Sequence, residues 1–79
     1  MAITAAQIRG KQMTPELREI AVKVNAATAS DADIKASNIS LAEKALLLAV
    51  KAGTITRADI NASPVDTPLK EVALAIRGV

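Results

Sequence analysis

The sequence predicts an all-α fold in which three tandem helix-turn-helix repeats stack into one small domain. A chain of 79 residues is long enough for a single core. The apolar half of the composition consists of Ala, Ile, Leu, Val and two Met, without any aromatic residue, and these residues recur at the spacing of amphipathic helices. The third observation is an internal repeat of 26 residues.

The internal repeat becomes visible when the chain is shifted against itself by 26 residues. Residues 28–37 (TASDADIKAS) then align with residues 54–63 (TITRADINAS), and the register continues without a gap to give nine identities in 26 positions. A second shift of 26 brings the N-terminal third into the same register. We therefore predict a single domain, residues 1–79, with internal repeats 1–26, 27–52 and 53–79.

Each repeat opens with a predicted short helix. A hydroxyl residue is followed three residues later by an amide or carboxylate side chain, which is the pattern of a capping box. The pairs are Thr4 with Gln7, Ser30 with Asp33, and Thr56 with Asp59. We expect these helices to end near Gly10, Ser37 and Ser63. The expected buried side chains are Ile8, Ile34 and Ile60, with the small Ala6, Ala32 and Ala58 beside them.

A longer helix follows in each repeat. Its predicted N-caps are Thr14, Ser40 and Asp66, supported by Pro15, Glu43 and Pro68 in the first turn. Apolar residues then recur at spacing i, i+3, i+4, i+7, as in an amphipathic helix. Gly53 and Gly78 are placed to end the second and third long helices. Because the first repeat has no such glycine, we expect its helix to continue towards Ala29.

Packing between repeats is expected to hold the helices in place. Helices of this length are marginal alone in water, because nucleation costs more than so few hydrogen bonds return. The middle long helix is the most apolar and should be covered on more than one side. Three apolar residues lie off the main stripe and have two interpretations, contact with the neighbouring repeat or an exposed apolar ladder for another chain. They are Val22, Leu48 and Leu74.

The composition argues against catalysis. Without Cys or His, the chain lacks thiol and imidazole chemistry and the usual zinc ligands. Asp31 and Asp33 resemble the start of a calcium loop, but Ala36 and Ala42 stand where that loop needs Gly and Glu. The three glycines are too dispersed for a phosphate loop. We therefore expect no enzyme activity, no catalytic or metal-binding residue, no cofactor and no small-molecule substrate.

Basic residues recur at equivalent positions of the repeats. Stacked repeats would turn these columns into a ladder that could contact phosphates or an acidic protein surface. Nearby glutamates favour the other interpretation, a solvated and ion-paired helix face. The candidate contacts are Arg18, Lys44 and Lys70 in one column, Lys51 and Arg77 in a second, and Arg9 and Lys35 in a third.

The expected location is the cytoplasm, or the inside of a particle assembled there. The first ten residues lack the pattern of a secretory signal, and the longest apolar run, residues 45–50, is too short to span a membrane. We expect a non-enzymatic structural module that binds protein or self-associates, as a subunit or accessory component of a larger assembly such as a viral particle. The alternative is nucleic-acid binding through the basic columns, and a weaker one is a small protein inhibitor.

Overall fold

Short and long helices alternate along the chain in a computed structural model, which describes residues 3–78. The described residues contain six α-helices and no β-strand, so the predicted all-α fold is confirmed. The helices are α1 (Ala5–Arg9), α2 (Pro15–Asn25), α3 (Asp31–Ala36), α4 (Leu41–Ala52), α5 (Arg57–Ala62) and α6 (Thr67–Arg77).

The short helices begin at the predicted hydroxyl residues. In α1 the Thr4 hydroxyl accepts a hydrogen bond from the Gln7 N–H at 3.2 Å, and the Gln7 side chain accepts one from the Thr4 N–H at 2.8 Å. Ser30 and Asp33 form the same reciprocal pair at the start of α3. In α5 only half of the pair forms, because the Thr56 hydroxyl is bonded but the side chain three residues later does not return the bond.

The long helices also begin where predicted. Ser40 and Glu43 form a complete capping box at the start of α4, and the Thr14 hydroxyl caps α2 from 3.4 Å. Asp66 occupies the N-cap of α6, but its side chain makes no capping hydrogen bond. The predicted N-cap position is confirmed at Asp66, where the N–H groups of Leu69 and Lys70 bond to the backbone carbonyl of Asp66.

The end of α2 differs from the prediction. The helix stops at Asn25 instead of continuing towards Ala29, because Ala27 adopts a left-handed backbone conformation with φ of 61°. This turn lets the Thr28 N–H bond to the Lys23 carbonyl at 2.9 Å, as in a Schellman motif. Ala29 is then buried in the core. The equivalent ends of α4 and α6 use the predicted glycines, Gly53 with φ of 75° and Gly78 with φ of 74°.

The core is apolar throughout. Ile8, Ile34 and Ile60 are completely buried, as predicted, and the described residues include no buried polar or charged residue. The long helices supply most of the remaining core through Leu17, Ile20, Ala21, Val24, Leu46, Leu47, Val50, Leu69, Val72 and Ala73.

The alanines of the short helices do not join the core. Ala6, Ala32 and Ala58 are exposed, so the prediction that they lie beside the buried isoleucines is wrong. Each stands two residues before its isoleucine. At 3.6 residues per turn this separation is about 200° around the helix, which places the alanine on the opposite face.

Helix α4 occupies the middle of the fold. It contacts α2, α3 and α6, which confirms that the most apolar helix is covered on more than one side. Leu46 and Leu47 are buried in these contacts, whereas Leu41 at the start of the helix is 82% exposed. One face of α4 is therefore core, and another faces solvent.

Candidate functional site

The second basic column, Lys51 and Arg77, is occupied by contacts within the chain. The Lys51 ammonium lies 3.0 Å from the Asp31 carboxylate, and the Arg77 Nε donates to the Ile55 carbonyl at 3.0 Å. These side chains tie the end of a long helix to the segment at the start of the preceding short helix. Two of the predicted phosphate contacts therefore have intramolecular partners.

The third column is split between a pair and an exposed cation. Arg9 lies 3.7 Å from Glu19, with both side chains more than half exposed, and Lys35 is exposed. Exposed pairs of this kind contribute about 0.2–1 kcal/mol. A further pair that the sequence analysis missed joins Lys11 to Glu71 at 3.3 Å, and it connects the α1–α2 loop to α6.

The first column is part-buried. Arg18 lines a cleft of about 420 Å³ in which the chain also places Glu43 and Asp66. The Arg18 Nε is buried there, and none of the described residues is its hydrogen-bond partner. Two carboxylates beside one guanidinium disfavour an anion. Lys44 and Lys70 are also only partly exposed. The seven candidate cations thus do not form one free surface.

The candidate apolar residues Val22, Leu48 and Leu74 share one environment. Each is part-buried and packs against the core. Their contact with the core accounts for much of their apolar surface. This packing does not decide between contact with the neighbouring repeat and an apolar ladder for another chain, so both interpretations stay predictions.

A different apolar surface lies between α4 and α5. This α4–α5 groove has a volume of about 550 Å³. Leu41 adjoins it, one residue before Ala42 and one helical turn before Ala45, and is the only large apolar residue in the described chain that is mostly exposed. The groove is lined by Ala42, Ala45, Leu46, Ala49, Thr54, Ile55, Asp59, Ser63 and Pro64.

The fold contains a comparable groove with opposite character. The α2–α3 groove, of about 290 Å³, is lined by Glu16, Glu19, Ile20, Lys23, Asp33, Ala36, Ser37 and Asn38. Residues of the two grooves correspond at the 26-residue offset. Where the α2–α3 groove carries Glu16, Glu19 and Lys23, the α4–α5 groove carries three alanines. One groove is therefore charged and the other is apolar.

The α4–α5 groove was not predicted from the sequence, because identities between the repeats do not reveal it. The informative signal lies in their differences, since three charged positions of the first long helix become alanine in the second. Leu41 gave a further signal, because a leucine stands at the position that Pro15 occupies in the first repeat. The loss of these charges from the second long helix, relative to the first, marks the position of the groove in the sequence.

The carboxylate of Asp33 is held at the N-cap of α3. Hydrogen bonds from Ser30, first from its backbone N–H and then from its side chain, hold the pKa of Asp33 below its ordinary value of 3.8. Within residues 3–78, no three potential ligands among His, Cys, Asp and Glu lie together as a metal site would require. No helix in that part of the chain combines the length and apolar character needed to cross a membrane.

Comparison of the chain with protein-family models, with curated proteins and with solved structures found no match. The function is therefore inferred from the geometry and chemistry of the surface itself. The feature that stands out is the α4–α5 groove with the exposed Leu41 beside it.

Proposed function

We propose that this chain is a non-enzymatic module of three tandem helical repeats, residues 1–26, 27–52 and 53–79, that binds protein through α4. Its role is that of a subunit or accessory component of a larger assembly, for which a viral particle is one setting. The observation that carries the proposal is the apolar α4–α5 groove with Leu41 82% exposed beside it.

The chemistry of this surface favours a protein partner. Burying an exposed leucine side chain contributes about 1.5–3 kcal/mol, so Leu41 supplies a driving force once a partner covers it. Alanines along α4 allow a second backbone to approach closely. A shallow groove between two helices, with an apolar floor and one carboxylate, suits a helix laid along it.

The same features support a non-catalytic role. The groove offers Asp59, Ser63 and Thr54 as its polar side chains. The Ser63 hydroxyl donates to the Asp59 backbone carbonyl at 2.9 Å and not to its carboxylate, so the two do not form the hydrogen-bonded nucleophile and base that covalent catalysis uses. Its lining gives little to orient a polar metabolite, because small substrates are held by several convergent polar groups.

Nucleic-acid binding through the basic columns has less support. Lys51, Arg77 and Arg9 are engaged with other residues of the chain. A phosphate would have to compete with these partners. No particular contact or charge favours the third possibility, a small protein inhibitor.

The test is affinity capture from an extract of the native source. The bait is the wild-type chain, and the disrupting variant is A42E/A45E/A49K, which gives α4 the charges found in the α2–α3 groove. Because related charges occur naturally on α2, the helix should tolerate them. A6E/A32E is the matched control, since both alanines are exposed and neither lines the groove.

We expect a stoichiometric protein partner to bind wild type and the control, and to be lost with the groove variant. Equal capture by all three chains would contradict the proposal. A salt titration with duplex DNA tests the alternative in parallel. Salt-dependent binding that disappears on charge reversal of Lys44, Lys51 and Lys70 would replace protein binding by nucleic-acid binding.

A further inference from the structure

We propose that two copies of this chain pair through their α4 helices, in a parallel two-fold arrangement. The contact on each copy is the α4 seam, defined as Leu41, Ala45, Leu48 and Ala52. This inference rests on the proposed function, because it identifies the protein partner of the α4 surface as a second copy.

The spacing of the α4 seam matches helix pairing. Its residues are separated by four, three and four positions, which is the alternation of the a and d positions in a coiled coil. Leu41, Ala45 and Ala52 are exposed, and Leu48 is part-buried. A helix of 12 residues is about 18 Å long, so the seam spans its whole length. Large and small residues alternate along it.

The flanks of the seam differ in charge. Lys44 and Lys51 each stand three residues after a seam leucine and mark one flank. Ala42 and Ala49 mark the other flank, where the α4–α5 groove opens towards Asp59. Asp59 is the only ionisable residue among the described residues that line this groove.

These flanks select the parallel arrangement. When two helices pair antiparallel about a two-fold axis, like flanks meet. Lys44 of each copy would then meet the lysine flank of the other copy, where the nearby carboxylate of Asp31 is already paired with Lys51. When they pair in parallel, unlike flanks meet. Lys44 of each copy is then directed to the groove of the other copy, where Asp59 supplies the opposite charge.

Both members of this charge pair are available. Gln7, Asp33 and Glu43 each return a hydrogen bond to the N-cap of their helix, but Asp59 does not. Lys51 is paired with Asp31, whereas Lys44 makes no ion pair within 4.0 Å in the described part of the chain. Within the described part of the chain, Lys44 and Asp59 therefore both lack an ion-pair partner and are available for a contact with another molecule.

The size of the contact predicts weak pairing. A standard interface buries about 800 Å² on each partner, which is roughly a sixth of the 4532 Å² surface of this molecule. A strip about 18 Å long and about 10 Å wide, which is one face of a single 12-residue helix, is smaller than that. We therefore expect association that depends on concentration between about 10 µM and 1 mM.

Sedimentation equilibrium over this range tests the proposal. We expect the average mass of the wild-type chain to rise from 8.2 kDa towards twice that value. A45E introduces the residue that stands at the equivalent position 19, and it should leave the chain monomeric at every concentration. The control A32E, on an exposed residue of α3, should associate like wild type.

A charge exchange tests the parallel geometry. K44E and D59K should each raise the dissociation constant of the dimer by at least tenfold. Each substitution removes a close charge pair and creates a like-charge contact in its place. The double variant K44E/D59K should restore association to within about threefold of wild type, since the pair is re-formed with its signs reversed. Circular dichroism of each variant establishes that its helices are intact.

Three results would overturn the proposal. They are a wild-type chain that stays monomeric to 1 mM, an A45E chain that associates like wild type, and a double exchange that fails to restore pairing. A monomeric wild type that still captures another protein through the α4–α5 groove would refute self-pairing and leave the proposed function standing. Wild-type pairing that A45E does not disturb, together with equal capture by all baits, would refute both.

Discussion

A matched pair of substitutions on α4 tests whether the helices share one core. Leu47 is completely buried, and Leu41 on the same helix is 82% exposed. Replacing either by alanine removes the same atoms and leaves helix propensity almost unchanged. The two variants therefore differ only in what surrounds the lost side chain.

The expected losses in the free energy of unfolding differ widely between L47A and L41A. L47A leaves a cavity in the core, and such changes cost about 2–5 kcal/mol. A domain of this size has a total stability of about 4–12 kcal/mol, so the loss is a large fraction of it. L41A should change the free energy of unfolding by less than about 0.5 kcal/mol, because the side chain makes few contacts.

Urea unfolding followed by circular dichroism at 222 nm measures both values. We expect a single transition for each chain, with the midpoint of L47A far below wild type and that of L41A almost unchanged. Measurement at a low concentration keeps association out of the comparison. Equal effects of the two substitutions, or a loss below about 1 kcal/mol for L47A, would refute the burial assigned to α4. Two separate transitions would refute the single shared core.

Other predictions concern the helix ends and a capping carboxylate. A27G should stabilise the chain by up to about 1 kcal/mol, because alanine is strained at positive φ. G53A should destabilise it by about 1 kcal/mol for the same reason. The added Cβ of G53A meets no atom within 4 Å, so backbone strain is its main effect. Urea midpoints that move in the same direction for both variants would contradict this. The pKa of Asp33 is lower in the folded chain than its ordinary 3.8, so its stabilising contribution is present above about pH 3.8 and is lost as the pH falls through the folded-state value. In pH-dependent unfolding, D33N should remove this part of the acid sensitivity, and an acid profile identical to wild type would show that the carboxylate does not contribute. S30A should cost about 1 kcal/mol by removing the hydroxyl cap of α3, and an unchanged urea midpoint would argue against the cap.

The helix starts could be predicted because their signals are local. A capping box needs only a hydroxyl and a partner three residues later, so Ser30 with Asp33 and Ser40 with Glu43 were visible in the sequence. The buried isoleucines followed from the same helices. Asp59 and Asp66 show the limit of this reasoning, because residue type permits a capping bond without determining whether the side chain makes it.

The end of α2 could not be predicted in the same way. The absence of glycine favours continuation locally, but tertiary packing buries Ala29 and requires the chain to turn before it. Ala27 adopts the left-handed conformation that glycine would adopt more easily. The left-handed conformation of Ala27 costs about 1 kcal/mol. Burial of the segment that follows it stabilises the fold by more than this cost.

The candidate surface depended on three-dimensional proximity. Ala45 and Asp59 are 14 positions apart, and only the packing of α5 near α4 brings them to one groove. The basic columns were correct as a sequence pattern. Three of these side chains nonetheless contact a carboxylate or a carbonyl group within the chain, namely Lys51, Arg77 and Arg9.

Pairing of two copies of this chain through the α4 surface is tested most directly by NMR. Amide spectra of the ¹⁵N-labelled wild-type chain are compared between about 20 µM and 1 mM, the range in which a contact of this size should form. We predict shifts that grow with concentration and are confined to Leu41, Lys44, Ala45, Ala49 and Asp59. Spectra that do not change, or changes centred on Glu16, Glu19 and Lys23 in the α2–α3 groove, would contradict pairing through α4.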